Sequence, residues 1–201
     1  RSVPRGEPIR TATDLSAWLD RLLAALGLER THLCGHSFGA WTALNYALAA
    51  GHRLRSLSLL DPTRCFAGYR PGYLLRAAPM LLRPTDGRVR RFLRWETGGR
   101  ALDPAWLTLD ALGSVHFPAA KVVPNRLPQR ARLASATVPT LVLLAEQSRA
   151  HDIRAVAASA RARLPRVVLD VLPGATHHSI PTEQAPELSR RLTDFLDGVG
   201  D

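Results

Sequence analysis

Apolar positions along the chain alternate between a helical period and short continuous runs, and the switches mark out helices and strands in turn. Leu15, Leu19, Leu22, Leu23 and Leu26 fall on one stripe, which predicts an amphipathic helix over Thr13–Leu26 with Thr13 as N-cap and Gly27 just past its end. Four apolar runs, Thr31–Cys34, Leu54–Leu60, Thr140–Ala145 and Val167–Leu172, read as strands. A helix through Ala40, Leu44, Ala47 and Leu48 follows the first run and stops at Gly51, another over Ile153–Leu164 separates the last two, and a final one covers Ala185–Leu196. Strands alternating with helices imply right-handed βαβ units in a parallel sheet, an α/β fold whose ligand chemistry gathers at the carboxyl ends of the strands.

Between residues 62 and 137 the pattern breaks. Prolines at 71, 79, 84, 104, 118, 124 and 128 punctuate short helical pieces carrying Tyr69, Tyr73, Met80, Phe92, Trp95, Trp106 and Phe117. Residues 62–137 are expected to form an inserted helical lid, with 1–61 and 138–201 as the core.

Composition narrows the class. A chain of 201 residues, 46% apolar, can bury one sizeable core. No apolar run is long enough to cross a membrane, and Arg1-Ser2-Val3-Pro4-Arg5 lacks the apolar stretch of a signal peptide. Cys34 and Cys65 are too few for a disulfide framework and have no metal-ligand spacing around them. A soluble, cytoplasmic protein without a metal is expected. The net charge of +10 raises the question of nucleic acid. Yet Lys121 is the sole lysine and the arginines are scattered, so neither nucleic acid nor membrane is expected as a partner. The densest group, Arg88, Arg90, Arg91 and Arg94 beside Trp95, either attracts an anionic substrate or forms the wet face of a helix.

The chemistry centres on Gly35-His36-Ser37-Phe38-Gly39, a Gly-x-Ser-x-Gly pattern between a strand and a helix. A serine on a strained strand-to-helix turn needs neighbours without side chains where the backbones pack closely, and its Oγ then projects from the turn. The helix that starts there aims free N–H groups and its dipole at the site. The Phe38 N–H is therefore the expected half of an oxyanion hole, and His36 is a candidate pocket residue.

Taken with Thr31-His32-Leu33-Cys34 before it and Ala40 after it, with Leu57-Ser58-Leu59-Leu60-Asp61-Pro62, with Val138-Pro139-Thr140-Leu141-Val142-Leu143-Leu144, and with Pro173-Gly174-Ala175-Thr176-His177, this turn resembles the α/β-hydrolase superfamily in order and spacing. The resemblance covers the chain except the lid. It implies an ester- or amide-type serine hydrolase with chain order Ser, acid, His, and Ser37 excludes the Asp nucleophile of epoxide hydrolases and dehalogenases. It also implies four strands ahead of the nucleophile strand and a loop donating the second oxyanion N–H. Arg1-Ser2 resembles the tail of that Gly-x-Gly-x-Ser loop, so an N-terminally truncated hydrolase is expected, with weakened activity and an open strand edge at Leu33.

By the same resemblance His177, just after the last strand, is the general base, although Thr176 stands where the family usually has Gly. His178 is its competitor. The usual acid position, three residues beyond Ala145, holds Ser148, which cannot stabilise an imidazolium. Asp152 is the first choice for the acid, against its plain reading as N-cap of the helix from Ile153. Asp61, an acid position in some members of the superfamily, and Glu146 are the alternatives, and a triad without an effective acid is the remaining one.

The expected function is cofactor-free hydrolysis of a small or medium carboxylic ester through an acyl-enzyme. Thioesterase, C–C hydrolase, lactonase and aminopeptidase are alternatives within the fold. Other classes of function are a hydrolase-fold ligand-binding protein with little turnover, favoured by Ser148, and a basic nucleic-acid-binding module.

Overall fold

Four parallel strands, β1 (Thr31–His36), β2 (Leu54–Leu60), β3 (Thr140–Ala145) and β4 (Val167–Leu172), lie side by side in chain order. The structure, a computed structural model, describes residues 8–117 and 122–200. The central strands β2 and β3 are buried almost throughout, whereas β1 and β4 are only partly covered. That is why β3 is apolar from Leu141 to Ala145 and β2 buries even its small polar residues Ser56 and Ser58: helices cover both faces of a parallel sheet.

Helix α1 (Ala12–Ala25) is capped two residues earlier than the leucine stripe predicts. Thr11, not Thr13, is its N-cap. Thr11 Oγ1 accepts from Asp14 N–H, and the Asp14 carboxylate accepts from Thr11 N–H, a capping box. Leu23 is buried against the core, but Leu22 and Leu26 remain 40% and 62% exposed. Helix α2 (Phe38–Ala50) is apolar on nearly every side because it lies between α1 and the sheet, and it buries Trp41, Leu44 and Tyr46. Each of those side chains contributes about 2–3 kcal/mol of apolar burial. Tyr46 donates to Asp20 on α1, Trp41 Nε1 to the Arg126 carbonyl and Asn45 Nδ2 to the Trp41 carbonyl, each at 2.8 Å, so these polar tips inside the layer are satisfied.

One 3-10 turn (Gly51–Arg53) leads into β2. Between β2 and β3 the chain makes a helical excursion: α3 (Pro71–Leu82), α4 (Asp86–Glu96), α5 (Pro104–His116) and the short α6 (Arg130–Ala134). Ala77, Val89, Phe92, Leu93 and Ala111 form a separate small core within it, with Tyr73, Met80, Trp95 and Trp106 packed around them. The Arg88–Arg94 group is a solvated helix face. Arg88 binds the carbonyls of Pro79 and Arg83, and Arg90 pairs with Asp86. Helix α7 (Ile153–Arg163) joins β3 to β4, and α8 (Ala185–Val199) lays Leu188, Leu192 and Phe195 on the sheet's other face.

The strand ladder does not stop where the strands do. Ser37 N–H donates to Leu60 O, Asp61 N–H to Leu143 O, and Glu146 N–H to Leu172 O, at 3.0, 2.7 and 3.2 Å. The loops at the carboxyl edge are thereby stitched to one another by main-chain bonds.

Candidate active site

Ser37 lies immediately after β1 with φ 55° and ψ −117°, a left-handed conformation that costs a non-glycine residue of the order of 1–3 kcal/mol. The close approach that the turn demands is borne by Gly35 alone. A Cβ there would lie 2.4 Å from the Gly39 carbonyl oxygen, whereas a Cβ on Gly39 would meet no described atom within 4 Å. The expectation that both glycines serve close packing thus holds only for the first. Phe38 is the first residue of α2, so its N–H has no partner within the helix and faces the turn.

The turn after β4 brings His177 to the serine. His177 Nε2 is 2.8 Å from Ser37 Oγ, and His177 Nδ1 is 2.5 Å from Asp61 Oδ2. Asp61 is fully buried and His177 is 2% exposed. With Nδ1–H donating to the carboxylate, the Nε2 lone pair is left facing the serine hydroxyl, a tautomer assigned from the hydrogen-bond network. The acid facing His177 is therefore Asp61, at the end of β2, and not Asp152. Asp152 Oδ1 accepts from Arg154 N–H and Ala155 N–H at 2.9 and 3.3 Å, which makes it the N-cap of α7. Glu146 is likewise elsewhere: its Oε2 accepts from Gly174 N–H at 2.7 Å, anchoring the loop ahead of His177.

Ser148 has a part in the same arrangement. Its hydroxyl donates to Asp61 Oδ2 at 2.7 Å, and Ala145 N–H donates to Oδ1 at 3.1 Å. Ser148, which cannot be the acid itself, thus binds the carboxylate that faces His177. On the far side, His151 Nε2 is 3.1 Å from Asp61 Oδ1, although too poorly aligned for a hydrogen bond. Burial opposes ionisation of Asp61, but the His151 and His177 imidazoles outweigh it and hold the carboxyl far below the ordinary carboxylate range.

His36 is buried beside His177, the ring centroids 4.8 Å apart. Burial, with His177 next to it, lowers its pKa to about 4, so the ring is neutral near pH 7 and its Nε2–H donates to the His177 carbonyl at 2.8 Å. His178 points the other way, its Nδ1 3.0 Å from Glu96 Oε2. Glu96, the last residue of α4, also accepts from His177 N–H at 3.0 Å. Tyr73 on α3 presents its ring edge-on to His177, 6.5 Å between centroids.

Glu96, His151 and the supporting part of Ser148 are absent from the sequence-based expectations. For Glu96 a signal exists: an acid ending an arginine-rich helix sits where the helix dipole disfavours it. For His151 and Ser148 none does, because their partner lies some ninety positions away. Among the described residues no cluster has the make-up of a metal site, and no helix is long and apolar enough to cross a membrane. The Arg1-Ser2 resemblance and Lys121 lie outside the described residues.

With this geometry in hand, comparisons with known proteins agree on one family. A model of the alpha/beta hydrolase family matches residues 2–191. The chain is similar to carboxylesterase YbfK of Bacillus subtilis, 24% identical, over 98% of this chain and 68% of that protein. It is similar to the uncharacterized carboxylesterase nap of the same organism, 26% identical, over 93% of this chain and 63% of that protein. The crystal structure of YbfK superposes with a TM-score of 0.86 at 24% identity, covering 98% of this chain and 70% of that one. That of the Bacillus subtilis naproxen esterase superposes at 0.82 with 25% identity, covering 97% and 70%. The chain thus spans about two thirds of the length of these relatives.

Proposed function

We propose that this chain, which belongs to the alpha/beta hydrolase family, hydrolyses a small or medium carboxylic ester through an acyl-enzyme. The observation that carries the reading is the unbroken line from Ser37 Oγ through His177 to Asp61, with contacts of 2.8 and 2.5 Å. Its similarity to two carboxylesterases supports the choice of ester over amide.

In this reading Ser37 Oγ attacks the ester carbonyl carbon as its proton passes to His177 Nε2. The carbonyl oxygen becomes an oxyanion beside the Phe38 N–H, at the positive end of α2. Collapse breaks the C–O bond, and His177 returns the proton to the departing alcohol. Water then adds to the acyl carbon, its proton taken by the same nitrogen, and the second collapse releases the carboxylic acid and restores Ser37. Asp61 takes no proton: it fixes the Nδ1–H tautomer and stabilises the imidazolium. The excursion α3–α6 serves as the lid over the site, and a cytoplasmic setting suits the free thiols of Cys34 and Cys65. The ligand-binding alternative drew on Ser148 in the usual acid position, and with a carboxylate 2.7 Å from its hydroxyl that ground is gone.

The test is labelling by a fluorophosphonate, read by intact mass, on the chain and on Ser37→Ala, followed by p-nitrophenyl esters of increasing acyl length. Labelling of the wild type alone and turnover of the shorter esters are expected. Equal labelling of Ser37→Ala, or an unlabelled wild type, overturns the reading.

A further inference from the structure

The main chain of His177 is gripped at both of its polar atoms by side chains from other elements. Its carbonyl accepts from His36 Nε2 at 2.8 Å, and its N–H donates to Glu96 Oε1 at 3.0 Å. Glu96 is fully buried, and it comes from the helical excursion rather than from the sheet. Its other oxygen, Oε2, takes His178 Nδ1 at 3.0 Å, with His178 N–H and Thr176 Oγ1 each at 3.4 Å. A buried carboxylate is tolerated only when its lone pairs are filled. Here they are filled by the three consecutive residues Thr176, His177 and His178.

Burial opposes the charge on Glu96, yet His178 and His177 more than compensate and hold its carboxyl below the ordinary range. An ionised Glu96 receives N–H groups. Neutralised or shortened, it releases them in a place where water does not replace it.

We infer that Glu96 is a positioning residue for His177: α4 carries into the hydrolase core the carboxylate that fixes the main chain from which the imidazole reaches Ser37. This rests on the Ser37–His177 reading above. It adds that the excursion supplies part of the order of the general base, so that α4 and the His177 turn behave as one body. A displacement of the imidazole by about 1 Å costs of the order of 100-fold in rate, and this is the quantity that Glu96 protects.

The experiment compares Glu96→Gln and Glu96→Asp with Val89→Ala, which loosens the buried face of the same helix without touching the carboxylate. All are assayed for p-nitrophenyl acetate turnover, fluorophosphonate labelling rate and thermal midpoint. Glu96→Gln places an amide among donors, and Glu96→Asp withdraws the oxygens by one methylene. Each is expected to lower kcat and the labelling rate about 10- to 100-fold with KM within about threefold, while Val89→Ala keeps kcat within about twofold despite its lower midpoint.

The split between kcat and KM separates positioning from scaffolding. The groups facing His177 are Asp61 after β2, His36 at the end of β1, Tyr73 on α3, Glu96 on α4 and its neighbour His178. Glu96→Gln removes the charge at constant size and Glu96→Asp keeps the charge at shorter reach, so a loss of kcat in both with KM unchanged marks the hold on the His177 main chain, which a merely structural role would not single out. The inference is overturned by wild-type kcat in both Glu96 variants, or by Val89→Ala reproducing their loss. An unlabelled wild type would sink the Ser37 reading instead, and wild-type labelling matched by both Glu96 variants would sink only this one.

Discussion

Replacing Asp61 by Asn tests the central contact with little change of volume. The carboxylate accepts from His177 Nδ1, Ser148 Oγ and Ala145 N–H, at 2.5, 2.7 and 3.1 Å. An amide keeps one oxygen for these donors and turns an NH2 toward another. If the NH2 faces His177, Nδ1 must accept, the ring proton moves to Nε2, and the nitrogen facing Ser37 Oγ can no longer take a proton. Loss of the correct tautomer and of the counter-charge together costs about 10³–10⁴ in kcat, or about 4–5.5 kcal/mol of transition-state stabilisation. The fold pays less: one imperfectly satisfied buried group is worth about 1–3 kcal/mol, visible as a lower thermal midpoint in a chain that still folds. Asp152→Asn is the control, since Asn caps a helix as well as Asp does, and its activity should stay within about twofold. The assay is p-nitrophenyl acetate hydrolysis under saturating and subsaturating ester. If Asp61→Asn kept more than about a tenth of the wild-type kcat, or if Asp152→Asn lost as much as Asp61→Asn, the assignment of the acid would be refuted.

Other outcomes follow from the same geometry. Because Ser148 Oγ is 2.7 Å from Asp61 Oδ2, moving the carboxylate across in Asp61→Ser/Ser148→Asp should recover about tenfold or more over Asp61→Ser alone, a fraction of what the acid is worth; no recovery in kcat would show that a carboxylate at 148 cannot reach Nδ1. Gly35→Ala forces a Cβ to 2.4 Å from the Gly39 carbonyl oxygen and should cost about 3 kcal/mol or abolish folding, whereas Gly39→Ala, facing open space inside α2, should be neutral or stabilise by up to about 1 kcal/mol. Urea midpoints decide between them. Asp61 is held far below the ordinary carboxylate range, so its stabilisation is present above the unfolded value of about 3.9 and is lost as pH falls from about 5 toward the folded value. Chemical denaturation across that acid range should show a steeper loss for wild type than for Asp61→Asn, and equal slopes would count against the buried charge.

The strands and the motif turn were legible because local pattern decides them. Leu141 to Leu144 are apolar in unbroken sequence, and Leu57, Leu59 and Leu60 are interrupted only by the small, buried Ser58, because both faces of β2 and β3 are covered. The start of α1 was less so: Thr11 and Thr13 are both plausible caps, and the capping box with Asp14 chooses the first. The acid was ambiguous for a deeper cause. In a parallel sheet every strand ends at the same edge, so Asp61 after β2 and Asp152 after β3 compete for one histidine, and sequence carries no distance between them. In the structure Asp61 lies 2.5 Å from His177 Nδ1, whereas the Asp152 side chain is taken up by the amides of α7. Glu96 was hidden because the excursion's helices had no register that could place one residue against the turn after β4.

The ladder that continues past the strand ends bears on how the site moves. Ser37, Asp61 and Glu146 each give their amide to the neighbouring strand or the residue at its end, so none of these loops can open by itself without breaking a rung shared with the next. Their amide protons should exchange with solvent at the pace of the sheet rather than of ordinary surface loops. The reacting groups then need no separate ordering step when an ester arrives: the entropy of holding them in place was spent when β1 to β4 came together.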